Sequence, residues 1–328
     1  MGIGTHQRAL RRAGRLPVAV ALLLLGWAGC AALDRGQALV PTRHQIRTGP
    51  FIVFSNSPMS ENPPAVRCLQ ALERDVGREL GLRIPSDEEP VEIYVLDNRQ
   101  DFDHFLKFYY PELPPRRAFF LAKGTQRLVY TYASPRLEED LRHEATHALL
   151  HVAVGDLPLW LDEGLAEYFE GPEGRQGTNP EHLDRLPQDR TAGWAPDLAR
   201  LETLTLVSQM APRDYRESWA WIHYLLNHSA ATKAALLGYL ADLRANPQTP
   251  RLCERLKASD AAAPERLLVH IEKVRNHPAA SAAVATPSPM PPSAGPTIRL
   301  QDNALELSRA SLPRRSFLDR LRIVFGLD

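Results

Sequence analysis

The chain has 328 residues, 44% hydrophobic and 24% charged, enough to bury one large core or two modest ones. Lys plus Arg and Asp plus Glu number 39 each, so no global field draws it toward nucleic acid or an acidic polymer. Three cysteines, far apart in sequence, make no disulfide framework and no zinc knuckle.

Residues 1–30 read as a bacterial signal peptide. Arg8, Arg11, Arg12 and Arg15 precede the apolar run "LPVAVALLLLGWAGC", which is shorter than the roughly 20 residues a spanning helix needs. Ala28 and Gly29 before Cys30 resemble a lipobox, with Trp27 where leucine is usual; acylation of Cys30 would tether the protein to a membrane. The expectation is export to the bacterial cell envelope, lipid-anchored or periplasmic. Cys68 and Cys253 are expected as buried free thiols, with a disulfide the alternative that export permits.

From residue 43 to residue 132 strand and helix signals alternate. "FIVF" and "VEIYVL" are short β-branched and aromatic runs, and "AVRCLQALERDVGRELG" has helical apolar spacing closed by Gly81. "AFFLAKGTQRLVYTY" predicts a hairpin turning at Lys123 to Gln126. After Ser134 the strand signals stop, and helices joined by polar loops continue to about Asn276. Residues 172–196 are expected as the longest loop, of the kind that is functional or mobile. Residues 277–297, nearly all Pro, Ala and Ser, predict a semi-extended linker, and 298–328 a basic tail. Phe317, Leu321 and Val324 against Arg314, Arg315, Arg320 and Arg322 make that tail either an amphipathic docking helix or a weakly ordered end.

"LRHEATHALLH", residues 141–151, is the most informative stretch. Ser134 and Pro135 suit an N-cap and first position, three acids follow, and Gly155 ends the predicted helix. Leu137, Leu141, Ala145, Ala148 and Val152 form an inward stripe. His143 and His147, one turn apart on an adjacent face, converge with Glu144 in the HExxH pattern of zinc peptidases. His151 lies about 12 Å along the axis from His143, too far to share an ion whose Zn–N bonds are about 2.0–2.1 Å. A catalytic zinc needs a third protein ligand and an open position. "DLPLWLDEGLAEYFEG" follows at once and, as a helix, sets Glu163, Glu167 and Glu170 on one face.

With these two segments the sequence resembles the gluzincin metallopeptidases, in particular the peptidase-MA-like group, whose second motif W-L-x-E-G-x-A reads here Trp160, Leu161, Asp162, Glu163, Gly164, Leu165, Ala166. The resemblance implies Glu163 as third ligand to one Zn²⁺ and Glu167 as a brace for a ligating histidine. Only 15 residues separate His147 from Glu163, fewer than in the aminopeptidase branch, which keeps Glu167 as the alternative ligand. "DYRESWAWIHYLL" is similar to a gluzincin segment in which a tyrosine, with a small residue three on, faces the metal. Tyr215 and Ser218 match it, although Tyr215, Trp219, Ile222 and Leu226 also read as a plain core stripe. The G-x-M-E-N signature of the aminopeptidases is missing, which favours an endopeptidase.

The resemblance thus implies an α+β fold: a strand-rich α/β subdomain over 31–171 with the HExxH and Glu-ligand helices, then a helical subdomain over 172–276, the zinc site between them. Its chemistry would be peptide-bond hydrolysis with Glu144 as general base and Tyr215 beside the developing oxyanion. A protein or peptide substrate is expected to add as a strand along "RLVYTY". One rival is a noncatalytic envelope lipoprotein that uses the same scaffold to bind a partner. Another is a zinc hydrolase of non-peptide amides.

Overall fold

The computed structural model describes residues 40–276, apart from 61–62, 85–87, 173 and 176. The signal segment with Cys30, the linker and the basic tail lie outside the described residues. Among those described, a five-stranded mixed sheet and ten α-helices make an α+β fold.

β1 (His44–Thr48) and β2 (Phe51–Ser55) form an antiparallel hairpin, and α1 (Pro64–Leu80) carries the chain to β3 (Val91–Leu96), parallel to β2. α1 begins with proline at its first turn and ends at Gly81, whose φ of 67° lets its N–H reach Gly77 O. α2 (Arg99–Tyr109) follows, its first turn capped by the Asn98 side chain. β4 (Phe119–Lys123) and β5 (Gln126–Tyr132) form the expected hairpin, turning at Gly124 with φ 59°. β5 pairs in parallel with β3, so the strand order is β1-β2-β3-β5-β4.

That order corrects the expected substrate strand. "RLVYTY" is β5, hydrogen-bonded to β3 on one side and β4 on the other, so it has no free edge for another chain. The open edge beside the later helices belongs to β4.

The alternation of period two divides the sheet's faces. Phe51, Val53, Val91, Ile93 and Val129 are buried in one core with Leu69 and Leu72 of α1 and with α3 (Leu137–Ala153). On the other face a stacked row, Phe54–Tyr94–Tyr130–Phe119, crosses four strands at ring separations of 4.9, 5.1 and 5.0 Å, and Phe105 of α2 packs on Tyr130.

After β5 come α3, α4 (Leu159–Phe169), α5 (Pro180–Thr191), the short α6 (Leu198–Leu201), α7 (Pro212–Asn227), α8 (Ala230–Ala245), α9 (Leu252–Ser259) and α10 (Ala263–Asn276). One hydrophobic cluster runs from Phe51 through α3 and α4 to Ile271, with Trp160, Trp219, Trp221 and Tyr224 fully buried. α3 starts later than Ser134: Ser134 Oγ accepts from Arg136 N–H and Ser134 O from Leu137 N–H, a turn that delivers the chain into the helix. Leu137 and Val152, expected in its inward stripe, are only half-buried, while Leu141, Ala145 and Ala148 are fully enclosed.

Residues 172–196 are not a plain loop, because α5 lies within them. Its apolar content is low, which hides the helical period, but Asn179 caps it, Pro180 opens it, and Leu183 and Leu186 are buried. Cys68 and Cys253 are both buried and free, Cys68 Sγ lying 3.3 Å from Glu138 O. No helix among the described residues is long and apolar enough to cross a membrane.

Candidate metal centre

α3 and α4 pack directly on one another, joined by a short connection through Gly155 (φ 98°) and Pro158. Trp160, Leu161 and Leu165 are fully buried and fix the roll of α4, which turns Glu163 toward α3 with 9% of its surface exposed. Each of His143, His147 and Glu163 offers one ligand atom, and the three lie within 4.8 Å of one another. Glu163 Oε2 is 3.8 Å from His143 Nε2 and 3.9 Å from His147 Nε2. Ligands on a tetrahedral zinc with bonds of about 2.0–2.1 Å stand roughly 3.4 Å apart, so the group is close to that size.

The far nitrogen of each imidazole faces an acid. His143 Nδ1 hydrogen-bonds Glu170 Oε2 at 3.1 Å, and His147 Nδ1 lies 3.0 Å from Asp162 Oδ2. At His143 the bonded carboxylate fixes the tautomer and leaves Nε2 to the shared point; at His147 the acid is close but makes no hydrogen bond of proper geometry. Burial pulls the His143 pKa down, but the Glu170 bond with Glu144, Glu167 and Glu163 outweighs it, and the net value is well above the usual range. For His147 burial is likewise overcome, by Asp162 and then Glu163, to about 9. Burial raises the Glu163 pKa against the pull of both histidines. The pocket is therefore built to favour positive charge.

Two further features frame it. Gly164 lies where α4 meets α7; a Cβ there would stand 2.8 Å from both Ile222 Cγ1 and Ser218 O, so the motif's glycine and the small residue after the tyrosine share one close helix crossing. Tyr215, in the first turn of α7, sits near Glu163 and Glu167: burial and then these two acids raise its pKa, with Arg116 acting in the opposite sense. That turn is held by fully buried Glu217, which accepts from Trp194 Nε1 at 2.9 Å, Asp197 N at 2.6 Å and Arg200 Nη2 at 2.9 Å.

The structure thus brings His143, His147 and Glu163 together, with half-buried Glu144 and Tyr215 beside them. Glu167 does not brace a histidine of this group. Its Oε2 bonds His182 Nε2 of α5 at 2.8 Å, and Glu170, one turn further, takes the bracing position. Glu167 does lie in a second group with His143 and Glu170 whose ligand atoms are within 4.8 Å of one another. His151 stands outside both groups and accepts from Arg127 Nε at 2.9 Å. Asp162, Glu170, His182 and Asn179 carry no role in the sequence reading. Asp162 lies in α4 and Glu170 caps its end, a legible signal; the other two depend on α5, whose helical period the sequence hides.

A groove of about 1180 Å³ opens beside the cluster, walled by Glu139, Glu167, Glu170, His182, Tyr215 and Arg216 among others. No curated protein matches the chain. Residues 139–245 match a family model described as a protein of unknown function (DUF1570), a span from α3 to α8 that contains every ligand candidate and Tyr215.

Proposed function

We propose that this chain is a zinc-dependent metallopeptidase of gluzincin type, an endopeptidase, exported and tethered at the bacterial envelope through Cys30. The observation that carries the reading is the pair of Nε2 atoms converging on Glu163 while Glu170 and Asp162 face the opposite nitrogens. Two imidazoles and one carboxylate are a catalytic zinc donor set, and the acids behind them suit a cation rather than a hydrophobic core. Zinc held there would supply Lewis acidity, polarising a carbonyl and lowering the pKa of water toward about 7.

The chain's own residues do the rest. Glu144 follows His143 on α3, rotated about 100° from it, so it accepts the proton of the attacking water and passes it to the leaving amine. Tyr215 donates its hydroxyl hydrogen to the oxyanion that develops on the carbonyl. An extended substrate adds to the free edge of β4, where Phe120 rests 6.4 Å, ring to ring, from His147.

Elemental analysis together with turnover of an unstructured protein such as casein tests this. One zinc per chain and hydrolysis are expected. Glu144→Gln should keep the zinc and lower kcat by about 10²–10⁴-fold. An unimpaired Glu144→Gln enzyme would remove the general-base role, and metal-independent capture without turnover would favour the binding-module reading.

A further inference from the structure

Arg116 lies on the stiff connection "PELPPRR" between α2 and the edge strand β4, three residues before β4 begins. Pro114 and Pro115 restrict the backbone, Leu113 is buried beneath it, and Arg116 Nε donates to Pro114 O at 3.3 Å. The next residue, Arg117, is locked to Asp140 by contacts of 2.7 and 2.9 Å, and its carbonyl accepts from Thr131. The Arg116 side chain is partly buried, and that burial lowers its pKa, while Glu144, then Tyr215, then Glu163 act in the opposite sense.

Direction along β4 says which part of a substrate meets it. α3 runs alongside this strand: Asp140 meets Arg117, His147 and His151 meet Phe120, and His151 reaches Arg127, which pairs with Ala122. A substrate added antiparallel to β4 passes from the Lys123 end toward Phe119, so residues after the scissile bond leave toward Arg116. Arg117, the next residue, lines the groove together with Ser134 to Glu139.

We propose that Arg116 binds a carboxylate of the substrate on the C-terminal side of the bond that is cut. The guanidinium is a permanent cation with a planar fork of donors that fits a carboxylate. Beside Glu144 and Glu163, it makes an acidic substrate acceptable where their charges would repel it. The carboxylate is either the free α-carboxylate of a short peptide or an acidic side chain. This rests on the peptidase reading.

The test uses four peptides of one sequence, with a free or amidated C-terminus and with Glu or Gln just after the scissile bond. Wild-type kcat/KM should favour a carboxylate by about tenfold or more. Dependence on amidation identifies the α-carboxylate, and dependence on Glu over Gln the side chain. Arg116→Ala and Arg116→Gln should bring the ratio to about 1, and Arg116→Lys should restore part of it. A ratio near 1 in the wild type, or one unchanged in both neutral variants, overturns the assignment. Binding of the same peptides to zinc-loaded Glu144→Gln protein reads the contact without turnover. A carboxylate preference there that vanishes with Arg116→Ala supports Arg116 even if the wild type cleaves none of them, an outcome that sinks only the hydrolytic reading.

Discussion

Among the described residues, two pairs of histidines, all buried but the half-buried His143, titrate in opposite directions. His143 and His147 sit among Glu163, Glu170 and Asp162, and both are more basic than usual. His223 of α7 and His270 of α10 face each other, Nδ1 to Nε2 at 2.9 Å, among the rings of Trp219, Tyr168, Tyr224 and His228. Burial and then His270 depress His223 to about 3; burial, then His228 and Lys273, depress His270 to about 4. Desolvation acts downward on all four. What reverses it at the first pair is carboxylate, so a row of buried imidazoles becomes a cation site only where acids stand behind it.

The largest expected difference between the pairs is in metal binding. His143→Ala should weaken zinc binding by about 10³-fold or more, since one of three ligands goes, while His270→Gln should leave the stoichiometry at one. Retention of a full equivalent by His143→Ala in chelator competition would move the ligand set elsewhere. Next in size, Glu170→Gln and Asp162→Asn should each cost about 10–100-fold in zinc affinity. Glu167→Gln should cost less, because its partner is His182; the reverse order would restore Glu167 as the brace.

Gly164→Ala tests the joint between the two regions, as α4 carries Glu163 and α7 carries His223. Overpacking against Ser218 and Ile222 should destabilise by about 1–3 kcal/mol in urea unfolding, with zinc affinity falling alongside. Unchanged stability would mean that the crossing has slack.

The smallest effect concerns pH. The folded pKa values of His223 and His270 lie below the unfolded value of about 6.5, so their contribution is intact above 6.5 and is lost as pH falls toward about 4 and about 3. His143 and His147 contribute oppositely, with stability present below about 6.5 and lost as pH rises toward the His147 value of about 9. The two are separated by the difference between wild type and His270→Gln. The cost carried by His270 should grow by about 1 kcal/mol between pH 7.5 and 5.5. A difference constant over that range would mean that the imidazole pair does not titrate there.

Local pattern made the elements of the site legible and left their partners hidden. Helical spacing located α3 and α4, although α3 begins after its Ser134 signal, and one-turn spacing aims His143 and His147 at one point. The choice of Glu170 over Glu167 as brace depends on how α4 crosses α3 and on Asn179 Nδ2, which donates to Glu170 Oε1 at 2.8 Å; no periodicity encodes either. Strand pairing was equally hidden. "RLVYTY" announces a strand, but its place between β3 and β4 follows from long-range assembly, and so the open edge fell to its neighbour.

Asn179 performs two tasks with one amide: Oδ1 receives the His182 N–H at 3.2 Å to start α5, and Nδ2 steadies the acid behind His143. The aim of the His143 ring is thereby tied to the winding origin of a helix 36 positions downstream. The chain just before that anchor is fixed as well, Gly177 O accepting from Trp219 Nε1 at 2.8 Å. A single deletion within α5's first turn would rotate its contacts by about 100° and leave His143 without its guide.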